Sequence, residues 1–287
     1  MEIKEQIQSE TFSLNRFTTL LKSDFIINKG SYLKVLLTVI GCFMAVAILV
    51  SIHQISEINN IIRLNSALTE EQLEDILYVK RINGGGLIIF FGLALMSLGL
   101  TVFGSLTFSS MSDKRHRIVT LMQPASINEK FLLRTLLYLV GGFALLVIGF
   151  FTGVLIGELS FGGAVTVWDS IEIFRKDADA IYETVIVVLW ILCGNAIYTL
   201  GSALWPKMSW FKTWIVMTVV QWIFGIMLIS GLFSGYDFER MIESLVKEET
   251  LLLWSIISAE IVVIGACWVL AWWRFRNTQI IQVFMKK

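Results

Sequence analysis

The sequence predicts an all-α integral membrane protein with six transmembrane helices, and three observations carry that expectation. Of its 287 residues, 56% are hydrophobic and only 16% are charged, whereas a soluble domain carries about 25% charged residues. Six runs each supply the roughly 20 mostly apolar residues that a helix rising 1.5 Å per residue needs to cross a bilayer. Lysine and arginine gather in alternate loops, as the positive-inside rule requires of a multi-pass chain. Two prolines argue against a loop-rich or all-β protein, and 21 glycines suit transmembrane helices.

The spans are expected at Tyr32–Ile52, Gly86–Phe108, Phe131–Gly157, Thr184–Trp205, Trp214–Phe233 and Leu251–Trp273. The chain then divides into an N-terminal segment, 1–31, a six-helix transmembrane domain, 32–273, and a tail, 274–287. The first residues, Met1-Glu2-Ile3-Lys4-Glu5-Gln6, are polar and the first apolar run begins only near Tyr32, so that run reads as a permanent span rather than a cleaved signal.

An even number of crossings puts both termini and the even loops on one side. That side holds 16 of the 23 basic residues and six acidic ones, a net +10, against −9 for the opposite loops. The basic side is expected in the cytoplasm, with both termini there and the chain in the cytoplasmic (inner) membrane. Trp205, Trp210, Trp272 and Trp273 sit near span ends, where an amphipathic ring favours the headgroup layer.

Before the first span, Leu14, Phe17, Leu21 and Phe25 recur at steps of three and four, making one helical stripe from which Arg16, Lys22 and Asp24 are absent. The pattern suits an amphipathic helix in the inner headgroup layer, with a break expected at Lys29-Gly30-Ser31 before the first span. A short soluble helix is the plainer alternative.

The loop between the second and third spans is the most informative stretch. Ser112 and Asp113 can open a helix, Lys114, Arg115 and Arg117 make it basic, and Ile118, Leu121 and Met122 give it an apolar face. Pro124 stops it. Ser126 and Glu129 then form the S-x-x-E pattern of a capping box, placing the start of the third helix near Ile127, ahead of the membrane. A basic helix held between a proline stop and a capped rigid span reads as a docking element; an ordinary positive-inside loop would need only the charges. On the outer side, Thr69 and Gln72 are a second possible capping box, opening a helix over Glu70–Lys80, and Phe238, Ile242 and Leu245 recur helically before the sixth span.

Little here can do chemistry. The sequence has no phosphate-cradling Gly-x-x-x-x-Gly-Lys-Ser/Thr loop, no His-Glu-x-x-His and no Gly-x-Ser-x-Gly. His53 and His116 fall on opposite sides of the membrane, and Cys42, Cys193 and Cys267 are isolated within apolar runs. The chain therefore reads as a non-enzyme without catalytic residues, cofactor or metal, and its zero net charge points to no nucleic-acid partner. Glu260 sits mid-span, where a charge costs about 2.5–3.5 kcal/mol; the eleven Leu, Ile and Val residues of the sixth span return about 3–7 kcal/mol, so the span inserts with Glu260 toward protein or water. Glu260 is thus a packing residue or part of a pathway or subunit interface. Gln221 and Asn195 are expected to hydrogen-bond between helices and, with Glu260, are candidates for a pathway or subunit interface.

Six spans, cytoplasmic ends, an amphipathic helix before the first span and a basic helix between the second and third together resemble the membrane subunit of a type-2 ABC exporter. The run Leu121-Met122-Gln123-Pro124-Ala125-Ser126-Ile127-Asn128-Glu129-Lys130-Phe131 resembles a "Pro-Ala-Ser, then Glu-Lys-Phe" signature of permease-like proteins of this group from Bacteroidetes. The resemblance implies a separate ABC-type ATPase bound to the inner face, with Ser112–Met122 as the coupling helix seated in it and Leu14–Ile26 as an elbow helix. It also implies a second permease chain, identical or not, lining the pathway. The first outer loop is longer than in the plainest members. A secondary transporter or channel would call for interrupted spans or several intramembrane charges; a non-transporting scaffold or sensor subunit is the other alternative.

Overall fold

A computed structural model describes residues 12–64, 70–112, 125–160, 167, 179–233 and 249–284. These are helical almost throughout: α1 (Leu14–Leu64), α2 (Glu70–Leu106), a 3-10 turn (Ser109–Ser112), α3 (Ile127–Leu136), a π turn (Leu137–Gly141), α4 (Gly142–Ser160), α5 (Asp179–Leu204), α6 (Ser209–Phe233) and α7 (Glu249–Phe284). Six helical stretches are long and apolar enough to cross a membrane: Leu14–Arg63, Glu71–Leu106, Ile127–Ile156, Thr184–Leu204, Ser209–Met227 and Leu253–Asn277.

Two boundaries differ from the sequence expectation. The break at Lys29-Gly30-Ser31 does not occur, and α1 runs unbroken for 51 residues, about 75 Å at 1.5 Å per residue. A lone glycine costs a helix only about 1 kcal/mol. Side chains bridge the site as well: Asn28 Nδ2 donates to Asp24 Oδ1 at 3.1 Å, Tyr32 Oη to Asp24 Oδ2 at 2.6 Å, and Phe25 stacks on Tyr32. Nor is the outer helix over Glu70–Lys80 separate. It continues through Gly84-Gly85-Gly86 into the second span as α2, again with no proline to stop it. Thr69 of its expected capping box and the segment from Tyr236 to Glu248 lie outside the described residues.

The chain forms two compact units. The second unit holds Lys22–Gly99 and the chain from Val140 through α4. Its buried apolar residues include Phe43, Ala47 and Val50 of α1, Ile88 of α2, and Leu146, Phe150 and Val154 of α4. Phe43 meets Phe150 edge to face at 5.6 Å. Past the apolar cores of these helices, Lys80 Nζ and Glu57 Oε2 pair at 2.8 Å across the α1–α2 hairpin.

The first unit holds α1 up to Leu21, the chain from Leu100 to Leu139, and the chain from Thr184 to the end of α7. Phe108, Met111 and Phe275 form a buried cluster on which Ile127, Phe131 and Ala203 pack. Between α5 and α6, Trp205–Met208 make a tight turn in which Met208 takes φ 57°.

Candidate functional site

The residues that flank the basic loop converge within the first unit. The approach to the loop is fixed by aromatic packing. Phe108 lies 5.1 Å from Phe275 of α7 and 5.7 Å from Phe131 of α3, and Phe131 lies 5.8 Å from Phe275. Met111, in the 3-10 turn, is buried in the same cluster. Burial of this size in a few large side chains makes the end of α2 a rigid point from which the loop departs.

The return from the loop is fixed by polar contacts. Ser126 caps α3: its side chain accepts the Glu129 N–H at 3.2 Å, and Glu129 Oε2 accepts the Ser126 N–H at 2.9 Å. The capping box therefore starts the helix at Ile127. The Glu129 carboxylate, fully buried, also reaches a second helix. Its Oε1 accepts the N–H of Ser13 at 2.6 Å and that of Arg16 Nη2 at 3.1 Å. Ser13 immediately precedes α1, and its carbonyl accepts the first helical bond, from the Phe17 N–H, at 3.0 Å. One carboxylate thus satisfies the amide ahead of two helices and sits at the positive end of both helix dipoles. The guanidinium adds a charge-assisted bond.

Two further contacts stiffen the platform. Arg134 Nη1 donates to the Thr107 carbonyl at 3.5 Å, linking α3 to the end of α2. Trp272 Nε1 donates to Asn128 Oδ1 at 2.9 Å, and Arg276 lies over the Trp272 ring at 5.5 Å. Lys130 is buried beside Glu129.

Ser112 closes the 3-10 turn and is exposed; Asp113, Lys114, Arg115, Arg117, Ile118, Leu121 and Met122 lie outside the described residues. Leu14, Leu21 and Phe25 are exposed and Phe17 partly so, while Arg16, off the stripe, turns to Glu129. Asn195 does bond between helices. Its Nδ2 donates to the Leu100 carbonyl of α2 at 2.7 Å, and its Oδ1 accepts from Thr199 Oγ1 at 3.5 Å. Gly104 lets α5 come this close, since a Cβ there would stand 2.6 Å from the Asn195 carbonyl oxygen. Gln221 is exposed on α6 and makes no interhelical hydrogen bond among the described residues. The reason is geometric, since the side of α6 that is buried carries Ser209 and Thr213 instead. Glu260 is half-buried on the α7 stripe that includes Ile264, Ala271 and Phe275, and its Oε2 has no hydrogen-bond partner among the described residues.

Sequence reasoning missed the pairing of Glu129 with Ser13 and Arg16, and the Phe108–Phe131–Phe275 cluster. The clue to the first was Arg16 standing off the apolar stripe; for the second it was a phenylalanine close to three expected span ends. No group of three or more metal-ligating side chains occurs among the described residues. Compared with protein-family models, curated proteins and solved structures, the chain finds no match.

Proposed function

We propose that this chain is the membrane-spanning permease subunit of an ATP-driven ABC transporter, an exporter, whose ATPase is a separate polypeptide. The observation that carries the reading is the double anchoring of the basic loop. Its entry is held by Phe108 and Met111 in an aromatic cluster, and its return by the Ser126–Glu129 box. A loop that only satisfied the positive-inside rule would need neither. A loop that transmits force needs both, because a push on it must move helices rather than be absorbed by its own ends.

In this reading the basic side is cytoplasmic, and Ser112–Met122 is the element the ATPase grips. Lys114, Arg115 and Arg117 supply charge for an acidic cleft, while Ile118, Leu121 and Met122 supply an apolar face. Closure of the ATPase on ATP would press on this element. The force would pass through Glu129 to the start of α1 and through Phe131 and Phe275 to α7, because those are the contacts that join them. The exposed stripe of Leu14, Leu21 and Phe25 lies on the first turns of the unbroken α1, so in this reading it would continue the first span into the inner headgroup layer rather than form a separate elbow helix.

The test is co-purification of the full-length chain with an ATPase encoded beside it. The triple variant K114E/R115E/R117E is expected to lose the ATPase while the permease still purifies as a folded membrane protein. Failure of any ATPase to associate with the unaltered chain sinks the reading.

A further inference from the structure

Two buried polar atoms of α7 have no hydrogen-bond partner among the described residues: Glu260 Oε2 and Trp268 Nε1. Their needs are opposite. A carboxylate oxygen requires a donor, and an indole N–H requires an acceptor. Eight residues separate them, about 12 Å along a helix, so neither can satisfy the other. A carboxyl inside a span is costly unless it faces a partner or a pathway.

Both side chains lie on the stripe that runs through Glu260, Ile264, Cys267, Trp268, Ala271 and Phe275. This stripe runs beside α5, which belongs to the same compact unit. Cys193 of α5 is within electrostatic reach of Glu260 and of Cys267, and Ala203 of α5 packs on the cluster that holds Phe275. Cover along this seam is uneven. Toward Phe275 it is closed, with Ala196 of α5 and Ala271 of α7 both 0% exposed. Toward Glu260 it loosens, and Leu189 and Cys193 of α5 and Ile257 and Ile264 of α7 are only partly covered. Its walls are apolar, and the carboxylate stands where it opens.

We propose that the α5–α7 seam binds an amphipathic amine, whose protonated nitrogen donates to Glu260 Oε2 while an acceptor on its apolar body takes the Trp268 N–H. Charge selects the occupant. An amine cation offsets the carboxylate where either charge alone is costly, whereas a neutral or anionic molecule leaves the carboxylate unpaired. A bare metal ion is not served, because no group of three ligating side chains occurs among the described residues. In the transport reading such amines are the molecules carried, and the inference rests on that reading for its purpose. Binding is measured with no ATPase present, so either can fail without the other.

The probe is dansylcadaverine, an apolar fluorophore with a primary amine and a sulfonamide acceptor; its N-acetylated form is the uncharged control. The purified full-length chain in mild detergent is expected to bind the amine saturably, with a rise in dansyl fluorescence. The acetylated probe should bind about tenfold more weakly or worse, the factor that one charge-assisted hydrogen bond supplies. Glu260→Gln should lose the same factor for the amine and leave the acetylated probe unchanged, and Glu260→Asp should keep most of the binding. Trp268→Phe should weaken both probes, since both carry the sulfonamide. Size-exclusion profile and thermal midpoint report whether each variant is folded. Equal affinity of the unaltered chain for the two probes overturns the proposal whatever the variants do. Absence of saturable binding overturns it too, as does undiminished amine binding by a folded E260Q protein.

Discussion

Glu129 accepts the backbone N–H of Ser13 at 2.6 Å, although 116 residues separate them. The bond ties the first turn of α1 to the first turn of α3, and the same carboxylate closes the capping box of α3. Capping alone is worth about 1 kcal/mol. Removing one member of a buried, hydrogen-bonded charge pair costs more, about 3–5 kcal/mol, because the partners stay behind unpaired.

Glu129→Ala should therefore be among the most damaging single changes on this face. It strands two helix-start amides and a guanidinium, and about 3 kcal/mol of stability should go. Glu129→Gln keeps one acceptor oxygen but turns an N–H₂ toward other donors, so it should fall between alanine and the native residue. Arg16→Ala should cost about 1 kcal/mol or less, since the Arg16 side chain is one-third exposed and screened. Thermal unfolding in detergent, followed by intrinsic tryptophan fluorescence, ranks the three. An E129A protein as stable as the native one would mean that the carboxylate does not hold the two helices together.

The contact of α2 with α5 turns on which of two terms is larger. A transmembrane interhelical hydrogen bond averages about 0.6 kcal/mol and reaches about 1.7 kcal/mol. Overpacking a close contact costs about 1–3 kcal/mol. Gly104→Ala places a methyl 2.6 Å from the Asn195 carbonyl oxygen, where only backbone can yield. It should therefore destabilise more than Asn195→Ala, which deletes the 2.7 Å bond to Leu100. The double variant should fall short of the sum, because without the side chain α5 has more freedom to shift. Thermal midpoints of the three variants settle the order, and N195A proving the worse single change contradicts this ranking.

What the sequence made legible follows from the range of each interaction. The capping box at Ser126 and Glu129 is a three-residue pattern, so the start of α3 could be read directly. Asn195 was legible because an amide in an apolar run must find a partner; its choice of the Leu100 carbonyl was not, since nothing in one sequence pairs positions 95 apart. For Gln221 the same argument names no partner within the described residues, because which side of α6 is covered depends on packing that the uniform hydrophobicity of that helix conceals. The expected break at Lys29-Gly30-Ser31 failed for a local reason. A lone glycine weakens a helix without ending it, and Asp24 braces this stretch with bonds to Asn28 and Tyr32.

Met208 holds a left-handed backbone, φ 57°, with its side chain exposed at 65%. That conformation costs a non-glycine residue about 1–2 kcal/mol. Glycine removes the cost but gives back about 0.4–1 kcal/mol through the freedom of the unfolded chain. Met208→Gly should thus stabilise the α5–α6 turn by about 0.5–1 kcal/mol, with no packing lost. Met208→Val, branched at Cβ, should destabilise it by a similar amount. The check is the sign of each shift in thermal midpoint; a lowered midpoint for M208G or a raised one for M208V would remove the strain argument.

The π turn Leu137–Gly141 adds one residue to what is otherwise a continuous helical third span. A π turn closes on five residues where an α turn closes on four, so deleting one restores an α-helix and leaves the register downstream intact. Deleting a residue inside α4 instead rotates everything beyond it by about 100°. Val140 and Ile148 are both about half exposed, at 55% and 50%, so neither deletion removes a core side chain. The Val140 deletion should yield monodisperse protein with a midpoint within a few degrees of the native one. The Ile148 deletion should swing Phe150 and Val154 off the stripe they share with Leu146, and with them the edge-to-face contact to Phe43. Loss of that core costs about 3–5 kcal/mol for the phenylalanine alone, enough to abolish recovery of folded protein. Equal recovery of the two deletions, measured by size-exclusion profile and thermal midpoint, would show that the α4 register does not depend on the π turn.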